Sequence, residues 1–110
     1  MNERIHNAVI KYLNMTEHEV IDPNFKNYIV TADEEGVAFC NVFIVTDGER
    51  IGTDITRSQF ENIMFDWFAD AGDDVINDVR VRYDIIEVHV IGKSRAIIKH
   101  YINADQDLER

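Results

Sequence analysis

Nine consecutive residues, Val37 to Val45 (VAFCNVFIV), are apolar in both alternating phases except at Asn41. A strand that is apolar in one phase can leave its other face to water. One that is apolar in both must be covered on both sides. This segment therefore predicts a central strand with helices packed against its sheet.

The rest of the chain supplies those helices. Residues 2 to 14 carry Ile5, Ala8, Val9, Tyr12 and Leu13 at three- and four-residue steps, an amphipathic helix ended by Asn14-Met15-Thr16. A second helix opens at Thr56, with Gln59 three residues on as a capping box. Behind that box Phe60, Ile63, Met64, Trp67, Phe68 and Ala71 hold the helical period, and Gly72 provides a stop. Its other face is acidic, with Glu61, Asp66 and Asp70 followed by Asp73 and Asp74. Acids at a helix C-terminus oppose the macrodipole, so that acidity does not serve helix stability.

Extended segments fill the gaps. Glu19 to Asp22 and Lys26 to Asp33 precede the central strand, and Thr46-Asp47-Gly48 turns the chain after it. Val79, Val81, Tyr83 and Ile85 alternate, then Ile86, Val88 and Val90 continue on the opposite phase, which predicts a bulge or a change of neighbour. Gly92-Lys93-Ser94 leads into a closing strand, Arg95 to Asn103. The predicted architecture is α/β (α+β): one domain over residues 1–104, a mixed sheet flanked by two main helices in the order α-β-β-β-α-β-β. Residues 105–110 read as a solvated tail.

A chain of 110 residues suffices for one core and falls short of two. The single Cys40 excludes an internal disulfide and a thiolate zinc site, and fits a reducing compartment. No apolar run approaches the ~20 residues of a membrane span, and the N-terminus has no apolar export signal. A cytoplasmic location with no membrane partner is expected.

Val81-Arg82-Tyr83-Asp84-Ile85-Ile86-Glu87-Val88, followed by Ile98-Lys99-His100-Tyr101-Ile102-Asn103-Ala104, resembles the C-terminal half of the YraN-like family. Tyr12-Leu13 at the end of the first helix, the strand-turn-strand unit Ile29 to Val42, and the turn Thr56-Arg57-Ser58-Gln59 match in the same order. These are small bacterial proteins with a restriction-endonuclease-like fold, related to the PD-(D/E)xK nucleases. The resemblance covers nearly the whole chain and implies a mixed sheet flanked by helices and a nuclease-like or nucleic-acid-processing role. In that chemistry two acids on neighbouring strands hold a divalent metal, and a lysine two residues after the second acid handles the attacking water.

Laid on this sequence, the aspartate falls on Tyr28, the glutamate on Asn41 and the lysine on Phe43, while the helix-borne glutamate and lysine fall near His6 and Gln59. No Asp or Glu anywhere is followed two residues later by Lys; Asp78-Val79-Arg80 comes nearest. The resemblance therefore implies a vestigial site at Tyr28, Asn41 and Phe43, with no catalytic residue and no metal ligand. Asn41 also reads as a buried amide satisfied by its neighbours, and Tyr28 as a strand aromatic.

Other groups carry weaker signals. Asp33, Glu34, Glu35, Asp47 and Glu49 gather at one end of a hairpin as a carboxylate cluster or, more simply, as solvated turn acids. His6, His18, His89 and His100 show no zinc spacing, and His100 matches the family's strand histidine. Cys40 reads as a small core residue.

Charge is distributed unevenly. Between Val79 and Asn103 five bases, Arg80, Arg82, Lys93, Arg95 and Lys99, face two acids, Asp84 and Glu87; that segment is +3 while the rest is −13, for a net −10. The five bases are the candidates for contacting nucleic acid or a partner protein. The acidic body disfavours approach of a polyanion.

The sequence thus points to a catalytically degenerate nuclease fold, a binding or assembly module with no cofactor, for which a protein partner or self-association is expected. Two alternatives stay open. One is a Mg²⁺- or Mn²⁺-dependent endonuclease with carboxylates relocated to Asp33, Asp47 or Glu49. The other is a homo-oligomeric structural module.

Overall fold

The computed structural model describes residues 3–71 and 79–108. The elements are α1 (Glu3–Met15), β1 (Glu19–Phe25), β2 (Tyr28–Asp33), β3 (Gly36–Thr46), β4 (Glu49–Ile51), α2 (Arg57–Ala71), β5 (Val81–Ile91) and β6 (Arg95–Tyr101). They form one mixed sheet in the order β1-β2-β3-β5-β6, with β4 added beside the end of β3. β1, β2 and β3 run antiparallel; β5 returns through α2 to lie parallel to β3, Val37 opposite Val81 through Val45 opposite His89. The mixed sheet with two helices is the architecture expected from the sequence.

The central strand is covered on both sides, as its double apolar phase requires. Val37, Phe39 and Phe43 join Tyr28, Val30, Tyr83, Ile85 and Phe60 in one buried cluster, against which Ile63, Met64 and Trp67 of α2 pack. Ala38 and Cys40 join Ile29, Ile86, Val88 and the α1 residues Val9 and Leu13 in the other. The α2 side is rich in rings: Phe39 meets both Phe60 and Trp67 edge-on at 5.9 Å. Such pairs add about 0.5–1.5 kcal/mol beyond their buried area.

Local chemistry sets the boundaries. The Thr56 hydroxyl accepts the Gln59 N–H at 3.1 Å while the Gln59 side chain accepts the Thr56 N–H at 2.9 Å, the reciprocal capping box. Lys26-Asn27 and Asp47-Gly48 each adopt positive φ at both positions, the geometry of tight two-residue hairpins. Gly36 is required by crowding: a Cβ there would lie 2.1 Å from the Arg80 carbonyl oxygen, which accepts the Val37 N–H at 2.8 Å.

Three expectations are corrected and a fourth is decided between its alternatives. β1 runs on through Pro23 to Phe25, which the edge position and two register shifts permit. β4, a three-residue exposed strand, has no alternation to announce it. Of the two alternatives for the phase change in β5, a bulge is absent and a change of neighbour is present: pairing with β3 is regular throughout, and β6 joins β5 from Ile85 onward. Its apolar phase changes because Arg82 and Asp84 occupy the α1 face early in the strand and Glu87 and His89 the α2 face later. The tail from 105 is not wholly solvated: after a 3₁₀ turn at Asp105–Asp107, Leu108 is buried in the α2-side core that also takes Ala104. Ala104 N–H donates to Tyr83 O at 2.6 Å, tying this segment to β5. The α2 stop at Gly72 and the acids Asp73 and Asp74 lie outside the described residues.

Candidate functional site

The resemblance placed its vestigial site at Tyr28, Asn41 and Phe43, and the structure brings these together on the α2 side. Tyr28 on β2 stands directly opposite Asn41 on β3. Asn41 is buried, and its amide donates to Thr53 O and to the Tyr83 hydroxyl, both at 2.9 Å. Burial, reinforced by Tyr83, pushes the Tyr28 phenol up to about 12. Phe43 is buried under the Arg50 guanidinium, 3.7 Å from its ring centre.

These residues border a notch in the sheet. β2 pairs with β3 only as far as Asn41, and β4 pairs only from Ile44, so among the described residues Val42 and Phe43 have no strand paired to them on that edge. A cleft of about 770 Å³ opens there, lined by Tyr28, Asn41, Thr53, Gln59 and Asn62 with aliphatic walls. Lys26 and Asp66, an ion pair, line it as well.

The most polar part of the interior lies on the opposite, α1-facing side. Arg82 sends Nη2 and Nη1 to the two carboxylate oxygens of Asp33 at 2.7 and 3.3 Å and Nε to Asp84 Oδ1 at 3.0 Å. Asp84 Oδ1 also accepts the Asn103 N–H at 2.9 Å, and His100 Nε2 lies 2.8 Å from Oδ2. His18 Nδ1 lies 3.2 Å from Asp33, and its ring meets His100 edge-on at 5.1 Å. Arg82 and Asp84 are both buried.

Local titration follows from these contacts. The Arg82 fork holds the Asp33 carboxyl down to about 2. Burial pushes Asp84 up, but His100, the Asn103 N–H and Arg82 together outweigh it and keep the carboxyl below its usual range. Cys40 on β3 lies opposite Asp84 on β5, and burial together with that negative charge pushes its thiol well up. It is therefore a thiol rather than a nucleophile.

Cys40, Asp84 and His100 form the one group of three potential metal ligands among the described residues, their donor atoms within 4.8 Å of one another. Both oxygens of Asp84 are already engaged, and the guanidinium bound to it repels a further cation. Asp84 and His100 belong instead to the charge-paired group with Arg82 and Asp33, which ties β2, β5, β6 and the segment after β6 to one another.

The five candidate binding bases do not form one patch, although Lys93, Arg95 and Lys99 share the β5–β6 hairpin. Arg82 is interior and spent on Asp33 and Asp84, so it leaves the surface set. Arg80, Lys93, Arg95 and Lys99 are exposed. Arg80 precedes β5 and Lys93 follows it, which separates them by roughly 40 Å along an extended chain. Nor do all the acids converge: Asp47 and Glu49 flank one turn, away from Asp33. Asp33 and Asp47 flank opposite ends of the 11-residue β3, roughly 35 Å apart.

Sequence reasoning missed the Asp33–Arg82–Asp84–His100 network. One signal for it was present: Arg82 and Asp84 share a phase in a strand whose other phase is apolar, so charge had to point into a covered face. Comparison of the chain with protein-family models, with curated proteins and with solved structures gives no match. No described helix is long and apolar enough to cross a membrane.

Proposed function

We propose that this domain works by binding rather than by catalysis, as a nuclease-like frame whose metal corner has been converted into a neutral cleft. The carrying observation is the Tyr28–Asn41 pair. The resemblance would put metal-binding carboxylates at or beside these positions; here an un-ionised phenol faces an amide spent on Thr53 and Tyr83. A divalent ion needs several oxygen ligands with negative charge among them. The carboxylates of the neighbouring strands support the same reading, since Asp33 and Asp84 are committed to Arg82, and Glu87 to Arg50, His89 and Tyr101.

The alternative with relocated carboxylates draws on Asp33, Asp47 and Glu49. The length of β3 separates Asp33 from Asp47 and Glu49, which leaves at most two carboxylates beside one turn, so the binding reading is preferred. Its ligand is an uncharged or protein surface rather than a polyanion, because the notch sits in the part of the chain that carries the −13 charge.

Incubation of the full chain with plasmid DNA, single-stranded DNA and RNA in Mg²⁺ or Mn²⁺ tests the reading. Intact substrates are expected under all conditions. Cleavage that disappears with Asp33→Asn, Asp47→Asn or Glu49→Gln would overturn it.

A further inference from the structure

One residue of β3 turns its main-chain groups into the notch. Val37 N–H donates to the Arg80 carbonyl at the head of β5, so the odd-numbered residues of β3 aim their amides at β5. Main-chain groups alternate between the two edges of a strand, and the even-numbered residues therefore aim theirs the other way. Gly36 and Thr46 agree with this. Each closes a two-residue hairpin on that other edge, opposite Asp33 and Glu49. Val42 belongs to the even set and lines the cleft. Its N–H and C=O face the notch, where no strand among the described residues is paired with it.

Three properties of the notch decide what takes that pair. It is short: Asn41, the last residue paired to β2, and Ile44, the first paired to β4, are three steps or roughly 10 Å apart. Strands close both ends, so an extended peptide has no room to run through along β3. It is neutral, because the two charged residues that line it, Lys26 and Asp66, pair with each other. Its walls are aliphatic, from Ile44, Ile51, Ile55 and Ile63, and suit the faces of a flat ring. The cleft's volume of about 770 Å³ is that of a small-molecule pocket.

The N–H and C=O of one extended residue lie side by side, and their complement is an acceptor next to a donor. A cis amide has that edge. Open-chain amides are trans and place the two groups on opposite sides, whereas a small ring holds them together. We propose that the notch is a site for a small uncharged ring with a cis-amide edge, the chemistry shared by lactams and pyrimidine bases. Val42 N–H donates to the ring C=O, and Val42 C=O accepts the ring N–H. This ligand class rests on the binding role of the same cleft and gives it a chemical content.

Titrating the nitrogen-15-labelled full chain with uracil and with pyrrolidone, read at the Val42 amide resonance, tests the site. Both rings are expected to shift that resonance saturably. Dimethyluracil, with both ring nitrogens blocked, has no N–H to give, and N-methylacetamide is trans. Each is expected to bind roughly tenfold more weakly than uracil. Uridine monophosphate distinguishes a free ring from a nucleotide. It is expected to bind more weakly than uracil, since its phosphate meets a chain of net charge −10. Asn62 is an exposed α2 residue lining the cleft, so Asn62→Trp fills the space and spares the core, which circular dichroism checks. Uracil binding is expected to fall at least about tenfold in that variant.

No saturable shift at Val42 with either ring would overturn the proposal. Dimethyluracil or N-methylacetamide binding as well as uracil would do the same, as would an Asn62→Trp variant that binds uracil like wild type. A nucleotide held more tightly than its base would overturn the uncharged class. The nuclease assay separates the two failures. A chain that leaves nucleic acids intact and ignores both rings loses the cyclic-amide assignment alone, whereas one that cuts them loses the binding role and this ligand class with it.

Discussion

Arg82 grips both carboxylate oxygens of Asp33, a residue 49 positions earlier in the chain, and holds Asp84 with the same guanidinium. The planar fork of Arg matches a carboxylate two bonds at a time, which an ammonium does not reproduce. Removing one member of a buried charge group leaves the others uncompensated. Arg82→Met is therefore expected to cost about 3–5 kcal/mol, a large part of a small domain's stability. Arg82→Lys is expected to recover only part of the loss. Urea midpoints for the three proteins measure this, and a wild-type midpoint for Arg82→Met would remove the network from any role in stability.

The same contacts fix an acid-dependent stability. Asp33 titrates near 2 in the folded chain against an ordinary value of 3.8, and Asp84 is shifted in the same direction. A lowered folded-state value means that the stabilisation is complete above the unfolded value and is lost as pH falls through the folded one. Denaturant midpoints are expected to be level with respect to these groups above about pH 5 and to drop between about pH 4 and pH 2. In Asp33→Asn the drop is expected to be shallower. An unchanged acid profile in that variant would show that Asp33 does not carry it.

Gly36 and Gly48 separate two reasons for a glycine. Both have positive φ, but a Cβ at Gly48 meets open space, whereas at Gly36 it meets the Arg80 carbonyl at 2.1 Å. Gly48→Ala is expected to cost about 1 kcal/mol, the left-handed penalty alone. Gly36→Ala adds displacement of a backbone segment that anchors β5, for a total of about 2–4 kcal/mol. Thermal melts rank the two, and equal costs would mean that the Arg80 segment yields freely.

What could be read in the sequence depended on range. The capping box at Thr56 and Gln59 and the helical period behind it are local, and they appear as expected because neighbours four residues apart settle them. The double apolar phase of β3 is likewise decided by its own residues. The exposed three-residue β4 carries no pattern, and the phase change in β5 left a bulge and a change of neighbour both open because polar groups inside a covered face break the usual rule. The charge network was the least legible part. It joins Asp33 on β2 to Arg82 on β5 across β3, and Asp84 on β5 to His100 on β6, and those registers are properties of the folded sheet, not of any one segment.

Asn41 offers the sharpest test of the cleft's chemistry. Its amide hydrogens serve two acceptors, the Thr53 carbonyl and the Tyr83 hydroxyl. Asn41→Asp keeps the shape but replaces the donor with oxygens, one of which then faces the Thr53 carbonyl with no proton between them. A buried group left unsatisfied in this way costs about 1–3 kcal/mol, so the variant is expected to melt earlier than wild type. A single carboxylate opposite Tyr28 and two residues from Phe43 remains too poor a ligand set for Mg²⁺ or Mn²⁺. Neither ion is therefore expected to restore the lost stability. A melting temperature raised by Mn²⁺ in Asn41→Asp and not in wild type would mean that the cradle for an ion survives around this position and that one substitution alone emptied it.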